Sequence, residues 1–366
     1  MSVQSPTLLV MAGGTGGHIF PGLALAKNLL KKGWVIHWLG SKNGMEEQIV
    51  DQKDITLSLI AVTGVRGSGL YKKLLAPVKI IHAIYQAHKV INRVHPDVII
   101  GMGGFASGPG GVAARLNKIP FMIHEQNAIS GYTNRILARW ANVIACAFPK
   151  TFKGKFSHKI QVVGNPVRED ICQLRNPQQR LRRNQKQINL LIIGGSRGAQ
   201  ILNEIVPQSL AEMTTLYSVH HQCGRDNSHQ VEQDYLKAKQ QGHSIRVSDF
   251  IKDMAQVFDW ADMVICRAGA LTISELICVG LGAILVPYPF AVDDHQTKNA
   301  HILEQKQGAF LLPQKNLNKD SLIKVLNKID REKLIQMGCC AFDQNAHLAT
   351  THLASLCEDL AGVKAA

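Results

Sequence analysis

A chain of 366 residues with 46% hydrophobic content, 31 glycines and a formal net charge of +14 is long for one domain and apolar enough for a large α/β core, so two domains are expected. No run of 18 apolar residues offers a membrane span, residues 1–10 lack the basic start of a signal peptide, and the eight cysteines show no Cys-x-x-Cys spacing; the expectation is reduced cysteines in a cytoplasmic protein without a metal site. The charge is lopsided: residues 1–168 hold 20 Lys and Arg against 6 Asp and Glu, while residues 169–366 hold 21 of each. The first half should therefore meet an anionic partner, whether nucleic acid, membrane surface or phosphorylated substrate, unless its lysines serve solubility alone.

In chain order, Thr7-Leu-Leu-Val-Met-Ala12 reads as a buried strand. The glycine loop Gly13-Gly-Thr-Gly-Gly-His18 follows it, and apolar periodicity over residues 22–31 predicts a helix. Strands are predicted over residues 34–39 and 56–62. Residues 96–100 form another, which runs into a second glycine loop, Gly101-Met-Gly-Gly-Phe-Ala-Ser-Gly-Pro-Gly-Gly111, with a helix to Leu116. Strands over residues 120–124 and 142–147 complete this half. His124-Glu-Gln-Asn127 closes one of them, a polar cluster at the edge where α/β sheets bind ligands; the alternative for Glu125 is to bond nearby backbone.

Gly164-Asn-Pro-Val-Arg168 reads as the boundary between domains over residues 1–163 and 164–345. The polar stretch 175–187, with Arg180, Arg182, Arg183 and Lys186, is expected to be solvated. Residues 188–193 then open a strand that enters Gly194-Gly-Ser-Arg-Gly-Ala199 and a helix, repeating the organisation of residues 7–30. Further strands follow at 217–222, 245–249, 263–266 and 283–286. The fold class is thus α/β: two Rossmann-like, doubly wound parallel-sheet domains facing across a cleft. An amphipathic helix within residues 346–366 is expected to cross back to the first domain.

The stretch Arg267-Ala-Gly-Ala-Leu-Thr-Ile-Ser-Glu275 leaves a strand and begins a helix. The unpaired amides and dipole of a helix start suit a phosphate, and Glu275, one turn in, suits sugar hydroxyls. Together they suit a nucleotide-sugar; the plainer alternative is a capped helix with a favourable first-turn acid. Residues 13–17 lack the Gly-x-Gly-x-x-Gly phasing and the acidic ribose partner of a dinucleotide site, and no P-loop sequence occurs. What remains is a loop whose amides can hold phosphate oxygens, with His18 either facing the same opening or capping the helix start. Gly103 and Gly104, in the second loop, would grip a diphosphate from the other side.

Taken together, Met11-Ala-Gly-Gly-Thr-Gly-Gly-His-Ile-Phe-Pro-Gly22, the loop at residues 101–110, His124-Glu-Gln-Asn127, Gly164-Asn-Pro-Val-Arg168, Gly194-Gly-Ser-Arg-Gly-Ala199, residues 267–275 and Asp294-His-Gln296 occur in an order that resembles the MurG family over essentially the whole chain. These are bacterial transferases that add N-acetylglucosamine from UDP to undecaprenyl-diphosphate-linked N-acetylmuramyl-pentapeptide. The resemblance implies the GT-B fold, with the acceptor on the first domain and the donor nucleotide on the second. It implies work at the cytoplasmic face of the inner membrane in peptidoglycan synthesis. Carried over residue by residue, it makes Glu275 the ribose ligand and Ile251 the backbone reader of uracil. Ser196 and Arg168 would contact the nucleotide, and Ala270, Leu271 and Thr272 the diphosphate, with Ile273 and Ser274 in the same turn. Asn127 and Gln296 would contact the sugar. Thr15, Gly16 and Gly17 would line the acceptor side, with His18 as candidate base. Two departures stand at binding loops, Phe105 for a tyrosine and Arg197 for a glutamine. No Asp-x-Asp for a divalent metal occurs, so neither metal nor cofactor is expected, and helix N-termini and cations would neutralise the leaving diphosphate.

An undecaprenyl acceptor stays in its bilayer, so the enzyme must come to it. Residues 70–85 supply Leu74, Leu75, Val78, Ile81 and Ile84 for one apolar helix face with Lys72, Lys73 and Lys79 beside it, the pattern of a helix lying in an anionic interface. The alternative is an ordinary surface helix with its apolar face on the sheet. Two rival functions share features of the sequence. A UDP-N-acetylglucosamine epimerase would share the fold but needs carboxylates around the anomeric centre. A nucleic-acid-binding protein would share the basic half but calls for interleaved aromatics, which are scarce at 6%; no nucleic-acid partner is expected.

Overall fold

The computed structural model describes residues 5–62, 76–152, 154–174, 176–181, 187–195 and 198–363. They form two compact units, one of Met1–Arg168 with His347–Ala366 and one of Glu169–Ala346.

In the first unit seven parallel strands lie in the order β3-β2-β1-β4-β5-β6-β7. They are β1 (Thr7–Ala12), β2 (Val35–Ser41), β3 (Ile55–Ile60), β4 (Val98–Gly103), β5 (Phe121–Glu125), β6 (Val143–Cys146) and β7 (Ile160–Val162). Both faces of a parallel sheet are covered, so its central strands are apolar throughout. In β1, alternate side chains divide between two cores. Leu8 and Val10 join Leu25 and Leu29 of the helix Gly16–Lys31, together with Leu353 and Cys357 of the helix Ala349–Ala361. Leu9 and Met11 join Ala83, Ala87 and Ile91 of the helix Ala76–Val94 and Ala113 of the helix Ser107–Leu116. The C-terminal helix thus completes a core begun by the first strand, and Lys32 pairs with Glu358 at 2.6 Å at its rim.

The second unit repeats the plan with β8 (Ile188–Ile193), β9 (Tyr217–Gln222), β10 (Ser244–Ser248), β11 (Met263–Cys266), β12 (Gly282–Leu285) and β13 (Ala309–Leu311) in the order β10-β9-β8-β11-β12-β13. In each sheet the first strand of the unit lies between strands wound in opposite directions. In such sheets ligands bind beyond the carboxyl ends of the strands at that reversal. β1 pairs with β4 and β8 with β11, so all four loops singled out in the sequence leave strands at these two points.

Several boundaries differ from those predicted. The first helix starts at Gly16 rather than residue 22 and carries Pro21 inside; the glycines and proline hide its start from propensity. The second glycine loop shrinks to residues 104–106, because β4 runs to Gly103 and the next helix begins at Ser107. The largest correction concerns Arg180, expected in solvent and found 1% exposed. Its guanidinium donates to the carbonyls of Phe258 (2.8 Å), Ala261 (3.0 Å), Val279 (2.9 Å) and Gly280 (3.0 Å).

Candidate functional site

In the first unit the two glycine loops touch. A Cβ on Gly104 would overlap the carbonyl oxygen of Gly13, and one on Gly103 would lie 2.8 Å from Cδ2 and 3.0 Å from Nε2 of His18. Both glycines also hold positive φ, +99° at Gly103 and +80° at Gly104, which side chains resist. Ser107 locks this junction: its hydroxyl accepts from the Gly103 amide at 3.1 Å and lies 2.8 Å from the Met11 carbonyl. His18 sits in the first helical turn, its ring against Gly103 and its Nδ1 3.2 Å from the Thr15 hydroxyl. It therefore belongs to the first turn of the helix and lies at the glycine junction. Thr15 is the extended N-cap, and the amides of Gly16 and Gly17 open the helix, where backbone donors lack intrahelical partners. Phe105, half exposed, stands beside Gly14.

The end of β5 is built differently. Glu125 is buried and its carboxylate accepts from the Asn127 amide and side chain (both 3.1 Å), the Gly131 amide (2.9 Å) and Asn134 Nδ2 (2.9 Å). Glu125 is thus a clamp that shapes the turn carrying Asn127. His124 is fully buried, and burial pushes its imidazole down to about 4. Its Nε2 lies 2.9 Å from the Gly164 carbonyl, so the proton is on Nε2 and the neutral ring ties β5 to the segment leading to Arg168.

In the second unit the helix Ala270–Val279 starts beyond β11, capped by the extended Gly269, and the Ile273 amide makes its first intrahelical bond to Gly269 at 2.9 Å. The amides of the preceding turn, at Leu271 and Thr272, precede that ladder. Glu275 is buried one turn in, at 7% exposure, and the Ser274 hydroxyl is occupied with the Ala270 carbonyl at 3.0 Å. Arg267 donates to the carbonyls of Val286 and Pro287 (3.2 and 3.3 Å) and stacks over Tyr288. The Tyr288 amide donates to Gln296 Oε1 at 2.8 Å, and Asn299 Nδ2 reaches the Ala268 carbonyl at 3.2 Å. These bonds draw the β11 exit and the helix His295–Gln305 together. The Gln222 side chain bridges the glycine loop and Ile251, donating to the Gly195 carbonyl at 3.0 Å and accepting from the Ile251 amide at 3.4 Å.

Ile251, residues 270–275 and Gln296 therefore belong to the second unit, while Asn127 and Arg168 belong to the first. Ser196 and Arg197, like Lys72, Lys73, Leu74 and Leu75, lie outside the described residues. Sequence reasoning missed Gln222 and Ser107. Ser107 stood inside a flagged motif and Gln222 at the carboxyl end of a strand, which is the one signal that marks it.

Residues 8–146 match the glycosyltransferase family 28 N-terminal domain, and residues 189–352 match that family's C-terminal domain. A UDP-N-acetylglucosamine--N-acetylmuramyl-(pentapeptide) pyrophosphoryl-undecaprenol N-acetylglucosamine transferase of Shewanella loihica is 48% identical to this chain, the match covering 97% of each. The crystal structure of Acinetobacter baumannii MurG superposes with a TM-score of 0.84 at 37% identity, covering 97% of this chain and 99% of that one. A UDP-GlcNAc 2-epimerase from Neisseria meningitidis superposes with a TM-score of 0.65 at 13% identity, covering 96% of this chain and 99% of that one, a likeness of fold alone.

Proposed function

The chain belongs to glycosyltransferase family 28, and from that premise we propose that it transfers N-acetylglucosamine from UDP-N-acetylglucosamine to undecaprenyl-diphosphate-linked N-acetylmuramyl-pentapeptide, with inversion at the anomeric carbon. The observation that carries this reading is one device used twice. Each unit sets a glycine loop and a helix N-terminus at the reversal point of its sheet. Donor and acceptor each carry a diphosphate, and such a crevice suits one. The excess of positive charge in residues 1–168 favours the lipid-diphosphate on the first unit.

In this mechanism the acceptor C4 hydroxyl attacks the anomeric carbon as UDP leaves. Negative charge grows on the departing diphosphate, where amides at the start of the helix Ala270–Val279 meet it, while Arg168 contacts the nucleotide. Glu275 takes the ribose hydroxyls. Gln296 has its carbonyl held by the Tyr288 amide, so its NH₂ donates to the sugar, as Asn127 does from the turn clamped by Glu125. His18 accepts the hydroxyl proton. The test is UDP release: it should require both the UDP-sugar and a lipid-diphosphate acceptor, and release of UDP or of an epimerised sugar from the donor alone would sink this reading.

Glu275→Ala should weaken kcat/KM for the donor by roughly 1.5–3 kcal/mol, the worth of hydrogen bonds to a charged group. The mutant should also discriminate less than wild type against a 2′-deoxyribose donor. Equal discrimination by both proteins would remove Glu275 from the ribose.

Among the described residues no helix is long and apolar enough to cross a membrane. On the helix Ala76–Val94, Ala83, Ala87 and Ile91 face the sheet, while Val78 (65% exposed), Ile81 (66%) and Tyr85 (53%) lie on the opposite side with Lys79 and Lys89 near them. Ile84, expected on the exposed face, is only partly exposed. An apolar stripe flanked by lysines suits the interface of an anionic bilayer. Val78→Glu combined with Ile81→Glu should weaken binding to anionic vesicles at least about 10-fold, given roughly 1.5–3 kcal/mol for each buried side chain. Turnover of a short-chain soluble acceptor should stay unchanged. Undiminished vesicle binding would put the membrane face elsewhere.

A further inference from the structure

Glu46 plays no part in the mechanism above, yet it is a fully buried carboxylate beside the first glycine loop. It opens the short helix Glu46–Ile49 just after β2. A buried carboxylate is tolerated only where donors surround it. Oε1 accepts from the Ser41 amide at 2.6 Å and the Ser41 hydroxyl at 2.7 Å. Oε2 accepts from the Gly14 amide at 3.2 Å. The room for this side chain is made by glycine. A Cβ on Gly40 would lie 2.6 Å from Glu46 Cγ, and one on Gly13 or Gly44 would overlap the carboxylate.

We propose that Glu46 is a positioning residue for the acceptor diphosphate. One carboxylate spans from the end of β2 to the loop, with an oxygen on each. It fixes the Gly14 peptide, whose φ is +90°, and it uses up the Gly14 amide. Phosphate oxygens are then left to the amides that open the next helix, at Gly16 and Gly17. The carboxylate is enclosed and its oxygens are engaged by Ser41 and Gly14, so it does not itself contact the incoming phosphate. This inference rests on the first unit being the acceptor side.

The test compares wild type, Glu46→Gln and Gly40→Ala. Glutamine is nearly isosteric but turns an NH₂ toward one of the amide donors, and alanine at position 40 pushes on Cγ from outside the loop. Both variants should show faster amide exchange across residues 13–17 with peptides of the second unit unchanged. Both should raise the KM for the lipid-diphosphate acceptor at least about 10-fold, while the dissociation constant for UDP-N-acetylglucosamine stays within about twofold of wild type. Wild-type exchange and wild-type acceptor KM in both variants would overturn the proposal. So would a fall in kcat and melting temperature without a change in acceptor KM, which marks plain destabilisation. If wild type fails to glycosylate the acceptor, the functional reading falls, and the exchange measurement still decides whether Glu46 holds the loop.

Discussion

Replacing His18 by alanine is expected to lower kcat and kcat/KM together by about 10²–10⁴-fold, the usual worth of general-base help, with donor affinity little changed. The geometry favours a fixed base. The ring lies against Gly103, where no Cβ has room, and Nδ1 sits 3.2 Å from the Thr15 hydroxyl. A residue held from both sides loses little entropy when it meets a hydroxyl, which is what a positioned base requires. If His18 only secured the helix start, the loss would be about 1 kcal/mol of stability, as for other cap residues, and kcat would stay near normal. Single-turnover rates at saturating donor and acceptor separate the two outcomes. Gly103→Ala supplies a second check, since its methyl would push on the ring while, at a φ of +99°, also straining the loop. It should lower kcat in the same direction, and a Gly103→Ala enzyme as fast as wild type would argue against His18 at the reacting hydroxyl.

The parts of this fold that were legible in the sequence are those where chemistry restricts the choice of residue. Glycine loops after apolar runs stood out because Gly103 and Gly104 need positive φ and close contact with His18 and Gly13. β8, β9 and β11 were readable to the residue because their apolar or β-prone runs end in clear breaks. The edge strands β7 and β13 went unseen, each being three residues long, too short for any period to show. The polar residues Glu125, Gln222 and Glu46 were visible as letters, but their partners lie far along the chain or across a turn, and no spacing reveals them. The sequence alone allows Glu125 to be a ligand or a partner of nearby backbone; its four bonds make it a clamp for Asn127.

Arg180 shows the same limit from the side of stability, and its replacement by methionine should have a large structural effect. In a polar stretch next to Arg182 and Arg183 nothing distinguishes it. In the fold it is 1% exposed and holds two helix ends: the Phe258 and Ala261 carbonyls at the end of Met254–Trp260, and the Val279 and Gly280 carbonyls at the end of Ala270–Val279. Terminal carbonyls lack intrahelical donors, and a cation there also meets the negative end of the dipole. Methionine fills much of the volume but leaves four buried acceptors without their donor, and each unsatisfied buried acceptor costs roughly 1–3 kcal/mol, so several kcal/mol are lost in all. Against a typical stability of roughly 5–15 kcal/mol for a domain, the second unit should melt on the order of 10 °C lower. Arg180→Lys should recover only part of this, because an ammonium cannot reach both helix ends as the planar fork does. The same helix Ala270–Val279 presents its other end to the proposed donor diphosphate. Saturating UDP should therefore return stability to the mutant, about 2.7 kcal/mol at a hundredfold excess over its dissociation constant. A melting temperature within about 2 °C of wild type in Arg180→Met would show that water or relaxed backbone satisfies these carbonyls, and that the guanidinium does not hold the helices.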